Sequence, residues 1–544
     1  MRAKSVLLVL AVVLAASSFI AACGPQAPPA EPPQASPASE QAAQESEEPT
    51  AAPEPPAPTR DELVIALGTN VSTPDNHKGT GLPALGASSQ IGDVLVRLDE
   101  EGDVVPWLIE SWEWTNDNKS LVLTVRDNVK MHDGNTMTAE DIRYSIERFR
   151  ELAVGKAALN MVTEVTADDD RHVTLTTAAP FPPLLRTLAY TPLTMYSKAV
   201  AEEWGVDDFG PHAVGPGPYK LAEFKPGDQM VLEAFEDYWA GEPKIKRVVV
   251  RMMPEMSARI LALEAGDVHL IDAVAPQEAA RLEEVDGLTI INPPSAGLIR
   301  MYINTQKGPL TDKRVRQAIA YAIDREAIVK NLFLGLGEVG HSLAPSGTFG
   351  YTDEYDVYQY NPDKAKELLK EAGAEDLTFT LLHSPGRYLL STEVVEAIKA
   401  QLDLVGIDMK IQDVEWGTLR DMTKSVTLEE SEMEATFFWW RSINGDADSA
   451  IADFASQYWP PNGNNTPFFK NDEYDRLYAA EQVETDVAKR EQQLKDMQAI
   501  LMDELPGVVL YRQPNIWAAA DDLDGININA LSCLQPMHEV QFEE

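Results

Sequence analysis

The chain has 544 residues, 44% of them apolar, and a formal charge of -42 from 87 acidic against 45 basic side chains. That length is more than one core serves and predicts two or three globular domains. The negative field excludes nucleic acid and anionic lipid headgroups as electrostatic partners and keeps the protein soluble.

The first residues, MRAKSVLLVLAVVLAASSFIAAC, place Arg2 and Lys4 before a short apolar run and small residues before Cys23. This is a signal-peptide layout, and the run is too short to span a bilayer securely. Ile20-Ala21-Ala22-Cys23 resembles a bacterial lipobox, which makes Cys23 the expected lipidated first residue of a mature chain. Residues 24–59 hold eleven prolines among Ala, Glu, Gln, Ser and Thr, with no aromatic. Such a stretch cannot bury a core and reads as an extended tether reaching at most about 110 Å at the polyproline II rise. Cys533, the other of the two cysteines, then has no partner in the mature chain, so neither a disulfide framework nor a cysteine metal site is expected.

From there the pattern is mixed α/β. ELVIALG, residues 62–68, reads as a short apolar strand, and SWEWTNDNKSLVLTV as two strands around an Asn-Asp-Asn turn. Thr138-Ala-Glu-Asp141 is a capping box opening a helix through Phe149. NPDKAKELLKEAG has Asn361 as N-cap, Pro362 at the first helical position and Gly373 as terminator. TFTLLHS, a helix over residues 392–404 and IDMKIQDV form a strand-helix-strand unit, hence a parallel pair with a right-handed crossover.

Catalytic motifs are mostly missing: the sequence contains no GxSxG elbow, no HExxH and no phosphate loop ending in GK[ST]. Gly335-Leu-Gly337-Glu-Val-Gly340 spells GxGxxG, but it follows a helical stretch instead of a strand and reads as a loop. Asp446, Asp448 and Asp453 resemble the start of a calcium loop without its glycine and terminal glutamate, so capping and solvation account for them better. The eight histidines are scattered, and a nickel site would need tertiary convergence. No cofactor, metal or enzymatic activity is expected.

VVPWLIESWEWTNDNKSLVLTVRDNVKMHDGNTMTAEDIRYSIERF closely resembles the signature of family 5 bacterial extracellular solute-binding proteins, the oligopeptide, dipeptide and nickel group that feeds ABC importers. Pro106, Leu108, Ser111-Trp112, Arg126, His132-Asp133-Gly134 and Thr138-Ala-Glu-Asp141 carry the likeness. AVGPGPYKL, FEDYWAGEPKIKRV, LEAGDVHLID, INTQKGPLTDKRVRQAIAYAIDREAI and YNPDKAKELLKEAG follow in the family's order. His132-Asp133-Gly134 is accordingly a structural turn and not a catalytic pair.

The resemblance implies a two-lobe periplasmic-binding-protein-like α/β fold, type II, with an extra domain inserted in the first lobe. Lobe one takes residues 60–92, 206–297 and 506–544, the inserted domain 93–205 and lobe two 298–505. Crossings near residues 298–304 and 507–511 form the hinge, and closure on ligand presents the permease with a closed surface. The implied function is capture of an oligopeptide or oligosaccharide outside the cytoplasm, by a monomer held to the membrane through its lipid and delivering to ABC permease and ATPase subunits. A secreted hydrolase or a ligand sensor on the same fold is the alternative.

FFWWRSINGDAD, residues 437–448, is similar to the family's segment in which a Gly-Trp strand runs into a loop such as GDNGDPD. In peptide-binding members the loop's first acid pairs with the peptide α-ammonium. Aligning NGDAD with NGDPD puts Ile443 at that place, and a buried ammonium without a counter-charge costs several kcal/mol. A shift of the gap brings Asp446 into play instead. Trp439, Trp440 and Trp416 offer flat faces for sugar rings or apolar side chains, while Arg441, Ser442 and Asn444 offer donors. Arg300 and Tyr302, beside the first crossing, complete the candidate set. The competing reading is that alternate aromatics face the core, although two adjacent tryptophans cannot both do so on a one-faced strand.

Overall fold

ELVIAL is apolar at five of six positions because it runs through the centre of a sheet covered on both faces. In the computed structural model, which describes residues 60–79, 81–99, 102–295, 297–529 and 534–543, it forms strand Glu62–Leu67. Its side chains alternate between two cores. Leu63, Ile65 and Leu67 join one, and Val64 and Ala66 the other, all without solvent exposure. Strands Arg247–Met252 and Leu270–Ile271 flank it in parallel. The whole sheet has seven strands, extended by Tyr219–Lys225 and Gln229–Ala234 on one side and by Trp517–Ala520 and Leu288–Ile291 on the other. The expected leader, tether and Cys533 lie outside the described residues.

Residues 93–205 contain a separate four-stranded antiparallel sheet, ordered Ile109–Thr115, Ser120–Val125, His172–Thr177, Val162–Ala167. The Asn116-Asp117-Asn118 turn has positive φ at all three residues, a conformation that Asn and Asp tolerate better than most. Helix Ala139–Glu151 lies on this sheet, and the Asp141 carboxylate accepts from the Thr138 backbone N–H at 2.9 Å, closing the predicted capping box.

A six-stranded sheet, ordered Glu338–Val339, Gly507–Arg512, Gly297–Ile303, Ala435–Arg441, Thr378–His383, Asp408–Asp413, builds the remaining region. Thr378–His383 and Asp408–Asp413 are the expected parallel pair, joined through helix Ser391–Asp403. Helix Pro362–Ala372 starts with Asn361 Oδ1 accepting from Lys364 N at 3.0 Å and stops at Gly373, φ 65°. The GxGxxG stretch, residues 335–340, follows helix Arg325–Leu332 and is a loop except for the two-residue strand Glu338–Val339 that it contains. Among the described residues, no helix is long and apolar enough to cross a membrane.

The chain changes sheet twice, between Ile291 and Gly297 and between Arg512 and Trp517. These crossings sit a few residues away from the expected ones. Strand Gly507–Arg512 belongs to the six-stranded sheet, paired with Gly297–Ile303, and not to the last stretch of lobe one. The two connections are tied to each other: Asn515 N donates to Asn292 Oδ1 at 3.1 Å and Arg512 Nε to the Ser295 carbonyl at 2.7 Å.

Candidate ligand-binding site

Strand Ala435–Arg441 lies antiparallel to Gly297–Ile303 along its length, but on its other side pairs with Thr378–His383 only at Ala435 and Thr436. From Phe437 onward that second edge is free for side chains to gather around. The strand's alternation sends Phe437, Trp439 and Arg441 to one face and Phe438 and Trp440 to the other. Phe437 and Phe438 are buried, whereas Trp439, Trp440 and Arg441 are half-buried.

On the first face Phe437 meets His383 and Tyr388, each with ring centroids 6.2 Å away. The Trp439 indole lies over Gly297, where an added Cβ would fall 2.0 Å from Nε1, so only glycine fits there. Arg441 sits 5.5 Å from the Trp439 ring. On the second face Phe438 touches Tyr302 at 6.0 Å and Trp416 at 5.6 Å. The Lys424 ammonium lies 5.2 Å from the Phe438 ring and 5.1 Å from that of Trp440. Trp440 Nε1 is buried and has no hydrogen-bond partner.

Trp416 opens helix Trp416–Lys424, capped by Glu415, whose carboxylate accepts from Thr418 N at 3.1 Å. The indole also lines a cavity of about 460 Å³ bounded by Ser384, Gly386, Arg387, Asp413 and Val414. Arg387 holds its guanidinium 4.6 Å above the indole. A second cavity, about 490 Å³, lies near the crossings against Glu338, His341, Tyr351, Asp353 and Arg512.

The loop after the strand does a different job from the one expected of it. Ser442 Oγ donates to the Asp446 carbonyl at 2.9 Å, and Asn444 Nδ2 donates to Thr187 Oγ1 of the inserted domain at 3.2 Å. Asp446 gives both carboxylate oxygens to Arg490, at 2.7 and 3.1 Å, and has no solvent exposure. Ile443 packs against the core of the inserted domain. Beside it, the Phe349 ring lies between the guanidiniums of Arg186, 5.1 Å away, and Arg490, 5.4 Å away. Burial lowers the Arg186 pKa, against the pull of Asp446. The loop thus joins lobe two to the inserted domain, and Ser442, Asn444 and Asp446 all bond within the protein.

Arg300 and Tyr302 are core residues. The Arg300 side chain is fully enclosed and donates to Tyr302 Oη and the Ala450 carbonyl, both at 3.1 Å, and to the Leu343 carbonyl. Asp448 and Asp453 are carboxyls raised to about 6, in each case first by burial. Among the described residues, no three His, Cys, Asp or Glu side chains gather as they would around a metal ion. Lys424, Arg387 and Tyr388 escaped the sequence reading; the available hint is that Lys424 lies two turns after Trp416 on one helix.

Residues 103–476 match the family described as bacterial extracellular solute-binding proteins, family 5 Middle. The chain belongs to that family. The glutathione-binding protein GsiB of Salmonella typhi is 28% identical to it over 475 residues, covering 86% of this chain and 92% of the relative. Among solved structures of the same two-lobe architecture, DppA of Helicobacter pylori in complex with the peptide STSA is 25% identical, with a TM-score of 0.73 over 89% of this chain and 98% of that one. MoaA of A. tumefaciens R10 in complex with mannopinic acid is also 25% identical, with a TM-score of 0.72 over 89% and 99%. The family 5 chain has the two-lobe periplasmic-binding-protein fold, with an α/β sheet at the heart of each lobe.

Proposed function

We propose that this solute-binding protein captures an oligopeptide or an oligosaccharide-like solute against the wall formed by Trp416 and Trp440, and delivers it unaltered to the permease and ATPase subunits of an ABC importer. The observation that supports this most is the free edge of strand Ala435–Arg441: its half-buried Trp440 shares a face with Phe438, which packs on Trp416, and Trp416 lines a cavity of about 460 Å³. Flat apolar faces flanked by a few polar groups suit both sugar rings and peptide side chains. Ile443 offers no charge to an α-ammonium, and Asp446 is committed to Arg490, so blocked peptides and neutral or acidic solutes fit better than free amines. The relatives named for glutathione, a peptide and mannopinic acid bracket this chemistry.

The test is mass spectrometry of the small molecule retained by the purified protein, followed by scattering with that molecule added back. Compaction on binding and recovery of the molecule intact are expected; a cleaved product would identify a hydrolase, and two equivalent sites would sink capture between lobes.

The same reading makes the protein a monomer working outside the cytoplasm on a lipid anchor at Cys23. Cys23→Ser is expected to move the protein from the membrane fraction to the soluble one, because two acyl chains supply an anchoring that a polar tether lacks. Unchanged membrane association and mass in the variant would refute the anchor.

A further inference from the structure

We propose that the Lys424 ammonium and the Trp440 indole N–H together form an anchor for a carboxylate or similar oxyanion on the captured solute, an assignment that rests on reading this wall as ligand-binding. An ammonium carries three donors. Lys424 uses one, to Asn464 Oδ1 at 2.9 Å, and otherwise lies over the faces of Phe438 and Trp440. Beside it the buried Trp440 Nε1 has no acceptor. Donors buried without acceptors are costly unless something supplies them, and one oxyanion supplies acceptors to both.

The acid whose charge reaches Lys424 is Asp453. It acts on Lys424 through space, and its Oδ2 is buried without a partner. Arg300 draws on the same carboxyl, while Arg420 adds a further positive charge near Lys424. Burial, opposed by Asp453, lowers the Lys424 pKa, as expected of an ammonium lacking a bound counter-ion.

The surroundings carry the same sign. Both wall tryptophans have a cation over the ring: Arg387 on Trp416 and Lys424 on Trp440. In a chain with nearly two acids per base this is a local reversal. The acids nearest the adjoining cavity are engaged, Asp413 with His383 at 2.9 Å and Glu415 in its helix cap. A site flanked by these cations, with donors to spare, selects anionic groups over ammonium groups.

The experiment offers the full-length protein matched mixtures: N-acetyl tripeptides with a free C-terminal carboxylate against the same peptides as C-terminal amides, and sugar acids against the corresponding alditols. Native mass spectrometry reads which members are retained. The acid is expected to be held about tenfold or more over its neutral twin, the scale of one charge-assisted hydrogen bond. Lys424→Met should bring the ratio close to one. Trp440→Phe, which deletes only the N–H end of the wall, should lower the ratio in part and covers the case in which the first variant folds poorly. Equal retention of acid and neutral members by the native protein, or a preference that survives Lys424→Met, overturns the anchor while leaving solute capture standing. Retention of no member at all overturns the capture reading and the anchor with it.

Discussion

Arg490→Met is expected to lower the unfolding free energy by about 3–5 kcal/mol, the usual cost of leaving a buried ion pair half made. The Arg490 side chain is 4% exposed and serves two carboxylates that have no exposure, Asp446 through both terminal nitrogens and Glu481 through Nε at 3.1 Å. A third acid, Asp448, lies close enough to raise the Glu481 pKa, and its Oδ1 has no partner. Methionine fills much of the volume but answers none of these charges. Asp446 also orders the loop reaching the inserted domain, so the variant should loosen the lobe contact through Asn444 and Thr187.

The pH dependence of this variant follows from the same cluster. Burial and the Asp446 charge raise Asp448 to about 6 against the opposing pull of Arg490, and burial raises Glu481 well above the ordinary range. A folded value above the unfolded one means that the folded state binds the proton more tightly. The linked stability is therefore complete below the unfolded value, about 4, and is lost as pH rises through the folded one. Removing Arg490 withdraws a charge that holds both acids down, so their protonation moves to higher pH. The variant's deficit should be smaller near about pH 5 than near about pH 8. Urea midpoints at the two pH values measure this; a deficit under about 1 kcal/mol, or one that grows in acid, would mean that the cluster is solvated.

How far this could be seen in advance differs from element to element. Helix Pro362–Ala372 was legible because its start and stop are written in adjacent residues, Asn361, Pro362 and Gly373. Glu62–Leu67 was legible as a strand for its unbroken apolar run. The sheet that claims Gly507–Arg512 was not, since an apolar strand carries no mark of its neighbour. The two tryptophans did mark a strand whose end is half-buried on both faces. The loop after them misled, because Asp446 finds its partner 44 residues later in Arg490 and Asn444 finds Thr187 at a separation of 257. Lys424 went unnoticed for the same reason: its meaning lies in Phe438, Trp440 and Asn464, which only the fold brings together.

The two adjacent tryptophans should separate cleanly when each is changed to alanine. Trp439 packs on Gly297 at the start of the strand that follows the first crossing, and the three atoms nearest to where a Cβ would stand there all belong to its indole. Trp439→Ala is therefore expected to cost about 2–3 kcal/mol of stability, below the 3–5 of a fully buried indole because this one is half-buried. Ligand affinity should change little by comparison. Trp440 stands on the opposite face with an unpartnered Nε1 and the Lys424 ammonium over its ring. Trp440→Ala should cost about 2 kcal/mol or more of binding, the scale of an aromatic hot spot, while the ligand-free melting temperature stays nearly constant. Their pairing partners, Ile299 for Trp439 and Leu298 for Trp440, differ. Calorimetric titration with the retained ligand and thermal unfolding without it decide the matter together. Should Trp440→Ala melt early and bind normally, the indole is core and the wall must be drawn through Trp416 and Arg387 alone.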